Sequence, residues 1–135
     1  MAIPIPYPRG EEGVYYDALG DGRLLYQRCN DCSVAVWYPR TTCPACGGAA
    51  LEWLESNRRG TVHSFTTLLR AGDPTRADDV PYTVALVDLD EGIRVLGDLA
   101  ETMTGNPIGR RVEGAIEAHE GRLPVLVFRS PEEPK

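Results

Sequence analysis

The residues of this 135-residue chain best suited to chemistry lie in one stretch, RCNDCSVAVWYPRTTCPACGG, residues 28–48. It holds all four cysteines, as Cys29-x2-Cys32 and Cys43-x2-Cys46, with ten residues between the pairs. A C-x2-C turn supplies two thiolates from one tight loop, and two such turns complete a tetrahedral site with sulfurs about 2.3 Å from a metal. Four sulfurs leave no open coordination position, so the metal is expected to be structural rather than catalytic. Zinc is the preferred ion. Iron is the competitor, because Cys43-Pro44-Ala45-Cys46-Gly47 has the Cys-Pro-x-Cys-Gly pattern of iron-binding knuckles. The first pair carries Asn30 and Ser33 where proline and glycine would stand.

Other side chains could do chemistry, and each has a plainer alternative. Arg58 and Arg59 could grip phosphates or a partner carboxylate; a solvated pair of linker charges is the favoured reading. His63 and His119 could act as bases, but neither has a partner nearby in sequence, so outward-facing strand positions are expected. Asp88, Asp90 and Glu91 form a carboxylate cluster at a glycine-containing turn, where such residues serve the backbone. Trp37 and Trp53 are expected to shield the metal and pack the ribbon, with Trp37-Tyr38 a possible anchor for a partner. No phosphate-binding glycine loop, no G-x-S-x-G and no fifth cysteine are present.

The elements that must position these residues are short. IPIPYPR, residues 3–9, is expected to be extended because of its prolines. EEGVYYDALGDG reads as a helix with Val14, Tyr15, Ala18 and Leu19 on one face, stopped by Gly20 or Gly22. Leu24–Arg28, Val34–Tyr38 and Leu51–Glu55 are predicted strands around the two cysteine turns, with Pro39 ending the second. From Gly60 the pattern is β throughout: Thr61–Arg70, Tyr82–Leu89, Ile93–Leu99, Arg111–His119 and Leu123–Arg129. Asp90-Glu91-Gly92 and Glu120-Gly121-Arg122 are hairpin turns. Ala71–Pro81 is a predicted loop, and Glu101–Gly109 a connection with room for one helical turn. The fold class expected is mostly β: a short N-terminal helix, a four-cysteine zinc ribbon and a five-stranded OB-fold barrel. An SH3-like barrel or small sandwich fits the strand pattern too. The expected divisions are 1–22 (extended segment and helix), 23–59 (ribbon), 60–130 (barrel) and 131–135 (tail).

Composition narrows the function. With 42% hydrophobic and 25% charged residues the chain is of globular type. No apolar run reaches the roughly 20 residues that cross a bilayer. MAIPIPYPRGEEG lacks a basic region followed by an apolar one, so a cytoplasmic location is expected, where paired cysteines hold metal rather than disulfides. Residues 1–59 carry 6 basic and 7 acidic side chains, residues 60–135 carry 8 and 13, so five of the six net negative charges fall on the barrel segment. Such a surface repels a phosphate backbone.

The ribbon followed by GTVHSFTTL, PYTVALVDLDEGIRVLGDL and IGRRVEGAI resembles the bacterial and archaeal family once catalogued as "domain of unknown function thirty-five", over about residues 12–129. That resemblance implies a rubredoxin-like zinc ribbon with Cys29, Cys32, Cys43 and Cys46 as ligands, joined to an acyl-CoA-associated OB-fold. It further implies a thiolase-like protein partner: a thiolase, an acyltransferase or a retro-aldolase that shortens sterol side chains. The small chain would be a non-catalytic accessory that supports this enzyme in lipid or steroid degradation. Acyl-CoA would lie at or near the shared interface, with Arg58, Arg59 and Trp37 as candidate contacts, in a complex of two copies of each chain. The alternative is a single-stranded nucleic-acid module, since zinc ribbons and OB-folds both serve there. It needs a basic groove with stacking aromatics, for which the barrel offers only Phe65, Tyr82 and Phe128.

Overall fold

The computed structural model describes residues 11–72, 74–100, 105–118 and 124–131. A helix, α1 (Glu11–Gly20), precedes three strands: β1 (Leu25–Cys29), β2 (Ala35–Val36) and β3 (Leu51–Glu55). Five more follow: β4 (Arg59–Leu68), β5 (Tyr82–Leu89), β6 (Arg94–Leu99), β7 (Arg111–Glu117) and β8 (Val125–Arg129). The first three form an antiparallel sheet in the order β2-β1-β3, and the last five close a barrel in the order β4-β5-β6-β8-β7. Among the described residues only β6 and β8 run parallel, at Asp98↔Val127 and Leu99↔Phe128. This closure removes most free edges from a small sheet. No helix of the described residues is long and apolar enough to cross a membrane.

The helix buries Tyr15, Ala18 and Leu19, one turn apart on one face. Val14, expected on that face, is 44% exposed, because a step of one residue turns it about 100° away. Beyond α1, Arg23 N–H donates to Ala18 O (2.9 Å) and Gly22 N–H to Leu19 O (3.0 Å), with Gly22 at φ +82°. This is a Schellman closure, so Gly22 rather than Gly20 stops the helix.

Tyr15 and Leu19 of α1, with Leu24 and Tyr26 of the ribbon, share one core with barrel residues such as Val62, Val87, Val95, Val112 and Phe128. Each of these buried side chains contributes about 1.5–3 kcal/mol. Phe128 is fully buried and sits between two glycines on the strands flanking β8. A Cβ on Gly97 would lie 2.7 Å from its ring, and one on Gly114 3.0 Å from it. The ring occupies the space that two side chains would otherwise fill.

Differences from the sequence reading have local causes. β2 is two residues rather than five, since only Ala35 and Val36 pair with β1 before the chain leaves toward Arg40. β4 starts at Arg59 because Arg59–Thr61 pair with Glu113–Arg111 of β7. The predicted loop Ala71–Pro81 contains a short 3-10 helix, Pro74–Arg76, held where the Arg76 guanidinium pairs with Asp79 and Asp98 and lies 3.8 Å from the Tyr82 ring centroid. The expected extended segment 3–9, the turn Glu120-Gly121-Arg122, His119 and the start of the connection after Leu99 lie outside the described residues, as does most of the tail.

Candidate metal centre

β1 delivers Cys29 at its end, and the chain then folds back on itself. Ser33 N–H donates to Cys29 O (2.8 Å), closing the first turn; Gly47 N–H donates to Cys43 O (2.8 Å), closing the second in the same way. The residue after each pair therefore occupies the same left-handed position, with Ser33 at φ +68° and Gly47 at φ +77°. Glycine takes this conformation freely, while serine pays a steric penalty there. The sequence difference between the two knuckles is thus a difference in strain, not in ligand supply.

The four sulfurs lie within 4.8 Å of one another. Cys29 Sγ and Cys46 Sγ are 3.6 Å apart, as are Cys32 Sγ and Cys43 Sγ. A tetrahedron with metal–sulfur bonds of about 2.3 Å has edges of about 3.8 Å, so these separations suit four ligands around one ion. Cys29 and Cys43 are buried; Cys32 and Cys46 are exposed. Peptide N–H groups point at sulfur, from Ala45 to Cys43 and from Gly48 to Cys46, both at 3.4 Å.

The thiols do not ionise alike. Burial opposes ionisation of Cys43, but N–H donors from Cys46 and Ala45, together with the neighbouring Cys32 and Cys46 thiols, outweigh it and bring that thiol down to about 7. At Cys46 the Gly48 N–H favours the thiolate, yet the neighbouring thiols, Cys29 foremost, and burial push it up to about 12. Four adjacent thiolates need a cation among them, and a divalent metal supplies it. The apolar packing here is meagre: Cys29, Val36 and Cys43, with Leu51 against them. So small a cluster fits a ribbon whose fold is completed by metal.

One structural group escaped the sequence reading. Gln27 is only 2% exposed. Its Nε2 donates to Arg40 O (2.8 Å), and Arg40 N–H donates back to its Oε1 (2.7 Å). This amide pins the excursion between the knuckles onto β1. The available signal was a polar residue in the otherwise apolar first half of LYQRC.

The junction between ribbon and barrel is also more fully tied than its sequence suggests. Ser56, 2% exposed, donates through N–H to Leu24 O (2.8 Å) and through its hydroxyl to Glu91 Oε1 (3.0 Å). The same hydroxyl accepts the Arg58 N–H (2.9 Å), while Asn57 N–H donates to Glu91 Oε2 (2.8 Å). Arg58 has φ +61°, and its Nε donates to Gly114 O (3.0 Å). Arg58 is thereby held by the barrel, whereas Arg59 is exposed, 3.8 Å from Glu113. Glu91 is a junction clamp, set by the turn at Gly92.

The remaining candidates are engaged on the surface. Asp88 receives Arg94 (2.6 Å), with His63 at 3.7 Å from the carboxylate; Asp90 receives Arg111 (2.7 Å). Hydrogen bonds from these arginines lower both aspartates below the ordinary carboxylate range. Trp37 and Trp53 pack against the main core rather than the cysteine cluster. Trp37 meets Tyr15 edge-on at 5.2 Å, with Tyr38 5.6 Å away, so it joins helix to ribbon. Of the aromatics a nucleic-acid groove would use, Phe128 is buried and Tyr82 lies beneath Arg76.

Comparison with known proteins agrees with this architecture. A family model described as the ChsH2 rubredoxin-like zinc ribbon domain matches residues 17–52, and one described as the ChsH2 C-terminal OB-fold domain matches residues 53–117. The benzoylsuccinyl-CoA thiolase subunit BbsA of Geobacter metallireducens is 30% identical over 115 residues, 81% of this chain and 76% of that protein. The chain belongs to the ChsH2/DUF35 family. The 3-oxo-4,17-pregnadiene-20-carboxyl-CoA hydratase alpha subunit of Mycobacterium tuberculosis is 31% identical over 104 residues, 73% of this chain. The match spans only 30% of that relative's length. Among solved structures, a chain of the Ltp2-ChsH2(DUF35) aldolase superposes with a TM-score of 0.77 at 29% identity, covering 93% of this chain and 98% of that one.

Proposed function

We propose that this chain is a non-catalytic, zinc-holding subunit that binds and supports a thiolase-superfamily enzyme making or breaking carbon–carbon bonds in acyl-CoA thioesters. The observation that carries this reading is the end-to-end likeness to a chain of an aldolase, joined by the kinship with a thiolase subunit. The chemistry of the described residues supports a supporting role. Thiolase-type reactions need a nucleophile with its base, and here the four thiols gather into one metal-ligand set. Asp88 and Asp90 are held in surface ion pairs with Arg94 and Arg111, and His63 lies beside the first of these pairs, 3.4 Å from Arg94 and 3.7 Å from Asp88.

In this reading Cys29, Cys32, Cys43 and Cys46 hold one zinc ion, which fixes the two knuckles. The junction clamp holds ribbon and barrel as one body for the partner to grip. Arg59 and the Trp37–Tyr38 edge are the candidate contacts to the partner or to its acyl-CoA, in a cytoplasmic complex of two copies of each chain. Lipid or steroid breakdown is the setting. The test is to purify the chain with a thiolase-superfamily partner and compare acyl-CoA turnover by each chain alone and by the mixture. A stable complex with turnover dependent on this chain is expected; turnover by this chain alone would contradict the reading.

A further inference from the structure

The barrel closes unevenly along β4. On one side β4 pairs with β5 from Gly60 to Leu68. On the other, β7 pairs only with Arg59–Thr61, and the last bonds are those of Val62 with Arg110 and Gly109. Beyond the bulge between Val62 and Ser64, no strand among the described residues pairs with that side of β4. Every second backbone N–H and C=O of Ser64–Leu68 faces away from β5 there, and such groups seek partners.

Two further observations concern the same edge. Exposed edges are ordinarily guarded by charge or proline, yet His63–Leu69 reads HSFTTLL, with no proline and no Asp, Glu, Lys or Arg. Phe65 of β4 is 41% exposed, and Leu69, in the bend just past the strand's end, is 76% exposed. Just past them Arg70 is exposed, with no ionic partner among the described residues.

We infer that the free edge of β4, Ser64–Leu68, receives an extended segment of the thiolase-like subunit as an added strand. Backbone hydrogen bonds bind it, apolar side chains at alternate positions cover Phe65 and Leu69, and a carboxylate faces Arg70. Charge decides against a second copy as occupant, because each chain carries a net −6 and two would repel. The inference rests on the proposed function and names the surface it uses.

Hydrogen exchange read by mass spectrometry on peptides spanning residues 63–70 tests it, for the chain alone and in its complex with the thiolase-superfamily enzyme. In the chain alone, the outward amides of Ser64–Leu68 exchange quickly. In the complex they slow by about tenfold or more, as expected where each gains a backbone hydrogen bond. Leu69→Lys, at a site too exposed to matter for folding, weakens the complex about tenfold with the melting temperature unchanged, and Arg70→Glu weakens it too. Amides already slow in the chain alone would overturn the inference, as would protection that grows with concentration of this chain without partner. A complex that forms without protection at Ser64–Leu68, or that tolerates Leu69→Lys, would overturn it while leaving the proposed function intact. Absence of any complex would remove both.

Discussion

Replacing Glu91 by alanine removes both acceptors that the ribbon–barrel junction uses. The Ser56 hydroxyl loses its bond at 3.0 Å and the Asn57 amide its bond at 2.8 Å. Bonds to a carboxylate contribute about 1.5–3 kcal/mol each when buried. The Asn57 end is exposed and can turn to water, so its share falls at the bottom of that range or below. Ser56 is 2% exposed and keeps a hydroxyl proton with nowhere to go. Together these give a loss of about 2–3 kcal/mol for Glu91→Ala. For a chain of this size that corresponds to a melting point lower by about 8 °C. Glu91→Gln keeps the shape and one acceptor, and is expected to cost about half as much. The assay is thermal and urea unfolding of the metal-loaded protein followed by circular dichroism. A double-mutant cycle with Ser56→Ala should return a coupling of about 1 kcal/mol, since the two side chains are in direct contact. A Glu91→Ala protein within about 0.5 kcal/mol of the parent, the ordinary scatter of surface substitutions, would refute the clamp.

Elemental analysis is expected to find about one zinc per chain, and chelation or Cys43→Ser to melt the ribbon while the barrel keeps its β signature; a fully folded metal-free chain, or one iron per chain, would count against zinc. Gly97→Ala should cost about 1–3 kcal/mol, because the new methyl meets the Phe128 ring and the Leu126 carbonyl; an unchanged urea midpoint would show that the ring yields. Asp88 and Asp90 are depressed by Arg94 and Arg111 in the fold. Their contribution is therefore present above the unfolded value of about 3.9 and is lost as pH falls through the lower folded values. Carboxyl NMR should show both titrating below that ordinary value, with smaller shifts in high salt because the pairs are exposed; titration at or above it would contradict the pairing.

Periodicity and turn residues made much of this molecule legible. The β5–β6 hairpin follows from an alternating apolar run on each side of Asp90-Glu91-Gly92, and Leu51–Glu55 is found as a strand where its alternation placed it. The cysteine spacing was equally plain, because thiols in matched pairs have few other uses. Local patterns do not carry long-range contacts, and those account for what was missed. Glu91 lies 34 residues from Asn57 in sequence, and Arg58 lies 56 from Gly114. Nothing near either residue announces its partner. Arg58, read as a solvated linker charge with a possible phosphate contact, is bound to a backbone carbonyl of the barrel. Trp53 and Trp37, read as shields for the metal, pack against the larger core shared with the barrel, where more apolar surface can be buried.

The central claim is that this chain enables chemistry it does not perform. Its most direct test is acyl-CoA turnover measured for the zinc-loaded chain, for the thiolase-superfamily partner, and for the two mixed at equal concentration. Turnover that is absent with this chain alone and appears, or rises sharply, only in the mixture is the expected result. Turnover by this chain alone, or a partner already at full rate without it, would contradict the account.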